Sequence, residues 1–149
     1  IIDNNLFEGK FKGETATSFP HDIPNLKVTN GNFDILKGIP AGNSFTADFA
    51  KAAILGENLG KSEFTDFLAV SFSSTDYIGH QFGPASKEIE DTYLRLDKDI
   101  ADLLSFLDKQ IGKNKYTVFL TADHAAVDVP AYLQSLKIPA HYFDIQKFK

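Results

Sequence analysis

Two apolar runs, Phe67-Leu68-Ala69-Val70-Ser71-Phe72 and Tyr116-Thr117-Val118-Phe119-Leu120, flank one long helical pattern. That order constrains the fold more than any other feature of the chain. An apolar run without alternation suits a strand covered on both faces, as in a parallel sheet. A strand, a crossover helix and a second strand make a right-handed parallel unit. The expected fold class is therefore α/β, with strands at 67–73 and 116–121 as parallel neighbours or near neighbours and helices packed on the sheet. An Asp/His pair follows each run: Asp76 and His80 after the first, Asp123 and His124 after the second. Both pairs then emerge at one sheet edge, where open parallel sheets bind their ligands.

The helical pattern between the runs is the most regular in the chain. Ser86 stands at the N-cap position, with Glu88 and Glu90 near the positive end of the helix dipole. Ile89, Tyr93, Leu96, Ile100, Leu103, Leu104, Leu107 and Ile111 recur at spacings of three and four, and Gly112 lies where a C-terminal cap belongs. The acidic residues Glu88, Glu90, Asp91, Asp97, Asp99 and Asp102 are read as its solvated face. An earlier helix is expected from Ser44 or Thr46, with Asp48 in its first turn. Its apolar face would be Phe45, Phe49, Ala52 and Ala53, and Gly56 or Gly60 would end it. A loop through Gly79, Gly83 and Pro84 follows the first run, and a short helix is expected near 130–136.

Residues 1–42 form an irregular, insertion-like or linker-like segment of turns and short extended pieces. Gly9, Gly13, Pro20, Pro24, Gly31, Gly38, Pro40 and Gly42 interrupt it, and it has no independent core. Residues 43–149 form the α/β portion. The 149 residues include no cysteine, which excludes a thiolate nucleophile and a Cys-type zinc site. A formal net charge of −5 argues against a nucleic-acid binder, whose footprint is basic. It leaves a phosphate substrate open, because bound cations supply local positive charge. Neither a signal peptide nor an apolar run long enough to span a membrane is present in the sequence.

Carboxylate oxygen and His nitrogen are the donors of open catalytic sites for zinc and similar ions. Asp76 and His80 are four apart, so one turn of irregular backbone would point both at one ion. Asp123 and His124 are adjacent and reach one ion only where the strand has ended and the chain turns. Ser71, Ser73, Ser74 and Thr75 are read as capping or turn residues, since no G-x-S-x-G elbow surrounds them. His21 and His141 are lone histidines in loop-like contexts, read as structural or solvated.

The segment 67–80, followed by Gly83-Pro84, resembles the alkaline phosphatase superfamily. The resemblance is to its type I phosphodiesterase/nucleotide pyrophosphatase branch, near the bacterial phosphate-irrepressible alkaline phosphatases. Residues 89–97, the Thr121-Ala122-Asp123-His124 segment, Phe11-Lys12-Gly13-Glu14 and Phe19-Pro20-His21 extend it. It implies an α/β sandwich of the alkaline phosphatase type and a two-zinc site. By motif position Asp76 and His80 would ligate one ion, and Asp123 and His124 the other. It also implies hydrolysis of a phosphate ester by a Thr or Ser nucleophile, with a periplasmic or secreted location. No segment here matches the family's nucleophile, its upstream metal-binding Asp or its downstream His ligand. The chain is therefore expected to be an internal portion of a longer enzyme, inactive or nearly so alone. A non-catalytic metal-binding or interaction module of the same fold is the alternative.

Overall fold

The structure is a computed structural model that describes residues 3 and 5–148. Among these residues all regular structure is helical. Helix α1 spans Ile23–Leu26 and is followed by a 3-10 segment, Asn32–Gly38. Helix α2 spans Ala41–Gly56, α3 Ser74–Phe82, α4 Lys87–Gln110 and α5 Pro130–Ser135, and a second 3-10 segment covers Ile145–Phe148. Helix α4 packs on α2 and α3, and the first 3-10 segment packs on α2 and α3 as well.

Helix α4 is built as its pattern predicts. The Ser86 hydroxyl accepts a hydrogen bond from the Ile89 amide at 3.2 Å, which satisfies one of the free N–H groups at the helix start. At 24 residues it is about 36 Å long. Its side chains tie it to α2: the Ser44 hydroxyl donates to Asp99 at 2.8 Å, and Lys51 pairs with Asp102. The expected acidic face is thus only partly solvated. Asp99 and Asp102 serve the α2 contact, and the Glu88 side chain is buried.

Helix α2 ends at Gly56, one of the two expected stops, but differs from expectation at its start and in its face. It begins at Ala41, directly after the 3-10 segment, whose turn supplies the early main-chain bonds: Gly42 N–H to Ile39 and Asn43 N–H to Pro40. Its buried face is Asn43, Ala47, Ala50 and Ile54, while Phe45 and Phe49 are exposed. At its first turn the helix lies close to its neighbours. A Cβ on Gly42 would fall 2.1 Å from the Ser74 hydroxyl oxygen and 2.4 Å from the Leu36 carbonyl oxygen. Gly42→Ala is therefore expected to cost about 1–3 kcal/mol of stability through overpacking. Thermal melting of the variant in the full-length protein checks this; an unchanged midpoint would show that α2 and α3 yield freely.

The expected sheet is not shown among the described residues. Neither 67–73 nor 116–121 is a strand, and the main-chain hydrogen bonds at the end of the first run are those from Thr75 and Tyr77 to the Phe72 and Ser73 carbonyls, which open α3. A strand exists only as a member of a ladder, and neither run has a ladder partner here. Phe67, Phe119 and Leu120 are 87%, 85% and 80% exposed, so the faces these runs would bury in a sheet are bare.

A second correction concerns residues 74–82. The loop expected there is helix α3. Ser74, Ile78 and Phe82, each four residues on from the last, form its buried face. Into that face pack Phe11, Leu26 and Ile35 from the N-terminal segment and Ile89 from α4, which together with Ile78 and Phe82 make the core. Residues 5–40 are accordingly turns and short helices rather than extended pieces, and their scattered apolar side chains cover α3.

Candidate metal centre

Asp76 and His80 lie on the exposed face of α3, opposite Ile78 and Phe82. Regular helix, not irregular backbone, brings them together: positions i and i+4 stack one above the other. The His80 Nε2 is 3.2 Å from Asp76 Oδ1. His124 arrives from the end of the second apolar run, and its Nε2 is also 3.2 Å from Asp76 Oδ1. The two imidazole rings are 5.6 Å apart between centroids. Side chains separated by 48 positions in sequence thus converge around one carboxylate oxygen, and all three donor atoms lie within 4.8 Å of one another.

Asp123 stands at the rim of this group. Its Oδ2 is 4.0 Å from His124 Nε2, its Oδ1 accepts a hydrogen bond from the His124 amide at 3.1 Å, and its side chain is 91% exposed. The His124 Nδ1 lies 3.2 Å from the Ala125 carbonyl oxygen. A carbonyl only accepts, so Nδ1 carries the proton that faces it. That tautomer leaves the Nε2 lone pair toward Asp76 and His80, the arrangement metal-binding histidines use. The Ala125 carbonyl, then Asp123 and Asp76, raise the His124 pKa above its ordinary value.

The Asp76–His80 pair fits zinc: tetrahedral ligands at bond lengths of 2.0–2.1 Å stand about 3.3 Å apart, and their contact is 3.2 Å. The group is open to solvent, with the Asp76, His80 and His124 side chains 46%, 70% and 50% exposed.

The hydroxyl residues near the site are occupied elsewhere, as their turn-like context suggests. The Ser71 and Ser73 hydroxyls contact each other at 2.8 Å, Ser74 donates to the Leu36 carbonyl at 3.4 Å, and Thr75 accepts from the Asn43 amide nitrogen at 2.9 Å. His141 is exposed. His21 is structural, and more firmly held than a lone loop histidine: its Nδ1 is 2.8 Å from Glu14 and its Nε2 2.9 Å from Glu88, with the imidazole 5% exposed. Sequence reasoning missed this triad because its members are up to 74 positions apart and Glu88 had a sufficient role at a helix start.

A sequence model of the type I phosphodiesterase / nucleotide pyrophosphatase family matches residues 6–146. The chain belongs to the type I phosphodiesterase / nucleotide pyrophosphatase family. Within it, the chain is 56% identical over 137 residues to alkaline phosphatase PhoV of Synechococcus elongatus, covering 92% of this chain and 24% of that protein. It is 54% identical over 149 residues to a Myroides odoratus protein called a calcium-transporting ATPase, covering 99% of this chain and 27% of that one. The crystal structure of wild-type alkaline phosphatase PafA superposes with a TM-score of 0.89 at 42% identity, over 99% of this chain and 28% of the PafA chain. The chain therefore spans about a quarter of the length of these phosphodiesterase-family relatives. Among the described residues no helix is long and apolar enough to cross a membrane.

Proposed function

We propose that these 149 residues are the metal-binding central portion of a zinc-dependent phosphoester hydrolase, an alkaline phosphatase or phosphodiesterase of periplasmic or secreted location. The observation that carries this reading is the convergence of Asp76, His80 and His124 from two distant segments onto one point. Family membership and the alkaline phosphatase relatives support it.

In this reading Asp76 and His80 hold one zinc ion, and Asp123 and His124 hold a second beside it. The Asp76–His124 contact is the wall the two sites share. Bound there, the ions would polarise the phosphoryl group and stabilise the attacking and leaving oxygens of an in-line displacement. The chain's own part is placement. Helix α3 fixes Asp76 and His80 one turn apart, and the Ala125 carbonyl fixes the His124 tautomer. The Thr or Ser nucleophile is supplied from outside these residues, which alone are inactive or nearly so. The runs 67–73 and 116–121 become strands when sheet neighbours from the rest of the protein pair with them. The PafA superposition supports that completion.

The test uses the full-length protein with an aryl phosphate, a bis-aryl phosphate and ATP as separate substrates, before and after a zinc chelator. Expected is hydrolysis of at least one phosphoester, its loss on chelation and its return with zinc. Turnover indifferent to the chelator overturns the metal-dependent reading. Cleavage of ATP alone would replace a phosphoesterase by a nucleotide-triphosphate hydrolase.

A further inference from the structure

The face of α3 that turns away from the metal centre is gripped by a buried charged cluster. The His21 ring lies between two carboxylates, Glu14 at 2.8 Å from Nδ1 and Glu88 at 2.9 Å from Nε2. The side chains are 5%, 15% and 5% exposed for His21, Glu14 and Glu88. The same ring lies 5.1 Å from Phe82, tilted 32°, and Phe11 meets both rings edge-on at 5.0 and 5.3 Å. Phe82 is on the last turn of α3, two residues beyond His80. Three segments are thereby joined by polar contacts as well as by the apolar core: the N-terminal arm through Glu14 and His21, α3 through Phe82, and the first turn of α4 through Glu88.

We propose that His21 and Glu88 are positioning residues, holding α3 in the rotation that sends Asp76 and His80 toward His124. This rests on the metal reading above. The argument is geometric. A helix as short as α3 has two degrees of freedom that matter for Asp76 and His80, its roll and its slide. The slide is limited at the N-terminal end, where Thr75 accepts from Asn43 and Ser74 donates to the Leu36 carbonyl. At the C-terminal end Gly9 abuts α3 so closely that a Cβ there would fall 2.0 Å from the Gln81 carbonyl oxygen. The roll is set by Phe82, and Phe82 sits where the His21 ring puts it. A purely apolar cover would fill that volume but allow the ring to shift. Hydrogen bonds at both ring nitrogens allow one orientation.

The experiment uses the full-length protein, stripped of metal, with zinc affinity measured by competition against a chromophoric chelator. The visible spectrum of bound cobalt reports coordination geometry. Far-ultraviolet circular dichroism of each metal-free variant verifies folding. His21→Ala is expected to weaken zinc binding several-fold, because Asp76 and His80 lose their set rotation, and to change the cobalt spectrum. Glu88→Gln keeps an acceptor for Nε2–H and should bind within a few-fold of wild type. A folded His21→Ala protein with unchanged affinity and spectrum overturns the proposal. Should His21→Ala fail to fold, Glu14→Ala decides. It removes one partner of the ring and leaves the Phe82 contact, so weaker zinc binding supports the clamp and unaltered binding sinks it. Asp76→Ala in the same titration separates the two levels. If it binds zinc like wild type, the metal reading itself fails and the clamp's role falls with it; if it loses zinc while His21→Ala does not, only the clamp is wrong.

Discussion

Asp76→Ala in the full-length protein is expected to lower phosphoester turnover by roughly a thousandfold. The carboxylate oxygen it removes is the one that both His80 and His124 approach at 3.2 Å, so its loss disturbs every donor the structure brings together. A metal ion supplies several kcal/mol of transition-state stabilisation, and each 1.36 kcal/mol is a factor of ten in rate. His124→Ala should act in the same direction. Both side chains are about half exposed and add little to the core, so the folded state should survive. The measurement is aryl-phosphate turnover with zinc content determined alongside. Both variants retaining near-normal rate and near-normal zinc would end the assignment of these residues as ligands.

Phe82→Ala is the substitution expected to cost the most stability. Phe82 is 1% exposed, packs against Phe11 and His21, and shares its helix face with the fully buried Ile78. Truncating a ring in such surroundings removes its transfer free energy and leaves a cavity, together about 3–5 kcal/mol. The check is the denaturant midpoint of the full-length variant against wild type. A loss below about 1 kcal/mol would place Phe82 among ordinary surface substitutions and contradict the core described above.

What the sequence disclosed and what it hid divide along physical lines. Helix α4 was legible because its information is local: Ser86 caps it, the three-and-four spacing runs through Leu107, and Gly112 follows. The Asp/His pairs stand out in the sequence because each follows an apolar run, and the structure brings Asp76, His80 and His124 together. Helix α3 was misread as a loop because Ser74, Thr75, Asp76 and Gly79 are turn formers taken singly. The available signal was the spacing of Ser74, Ile78 and Phe82, which places one face of three successive turns together. The face of α2 was misjudged for another reason. Phe45 and Phe49 are the larger apolar residues, yet both are exposed, and the face at Asn43, Ala47, Ala50 and Ile54 is buried instead. The clamp at His21 was out of reach, because no local pattern links Glu14, His21 and Glu88. Nor does an apolar run reveal whether a partner strand lies beside it; 67–72 and 116–120 read as strands and stand without a ladder.

Those two bare runs have a consequence for handling the chain by itself. Each presents large exposed apolar side chains, and neither lies in a sheet among the described residues. An exposed segment of this kind is a template for any second extended segment it meets. Two copies in a concentrated solution would find in each other what the rest of the protein would otherwise provide. In the proposed reading, self-association and completion of the sheet are rivals for the same atoms. Aggregation of the isolated 149 residues would on that reading report an unfilled edge and not a faulty core.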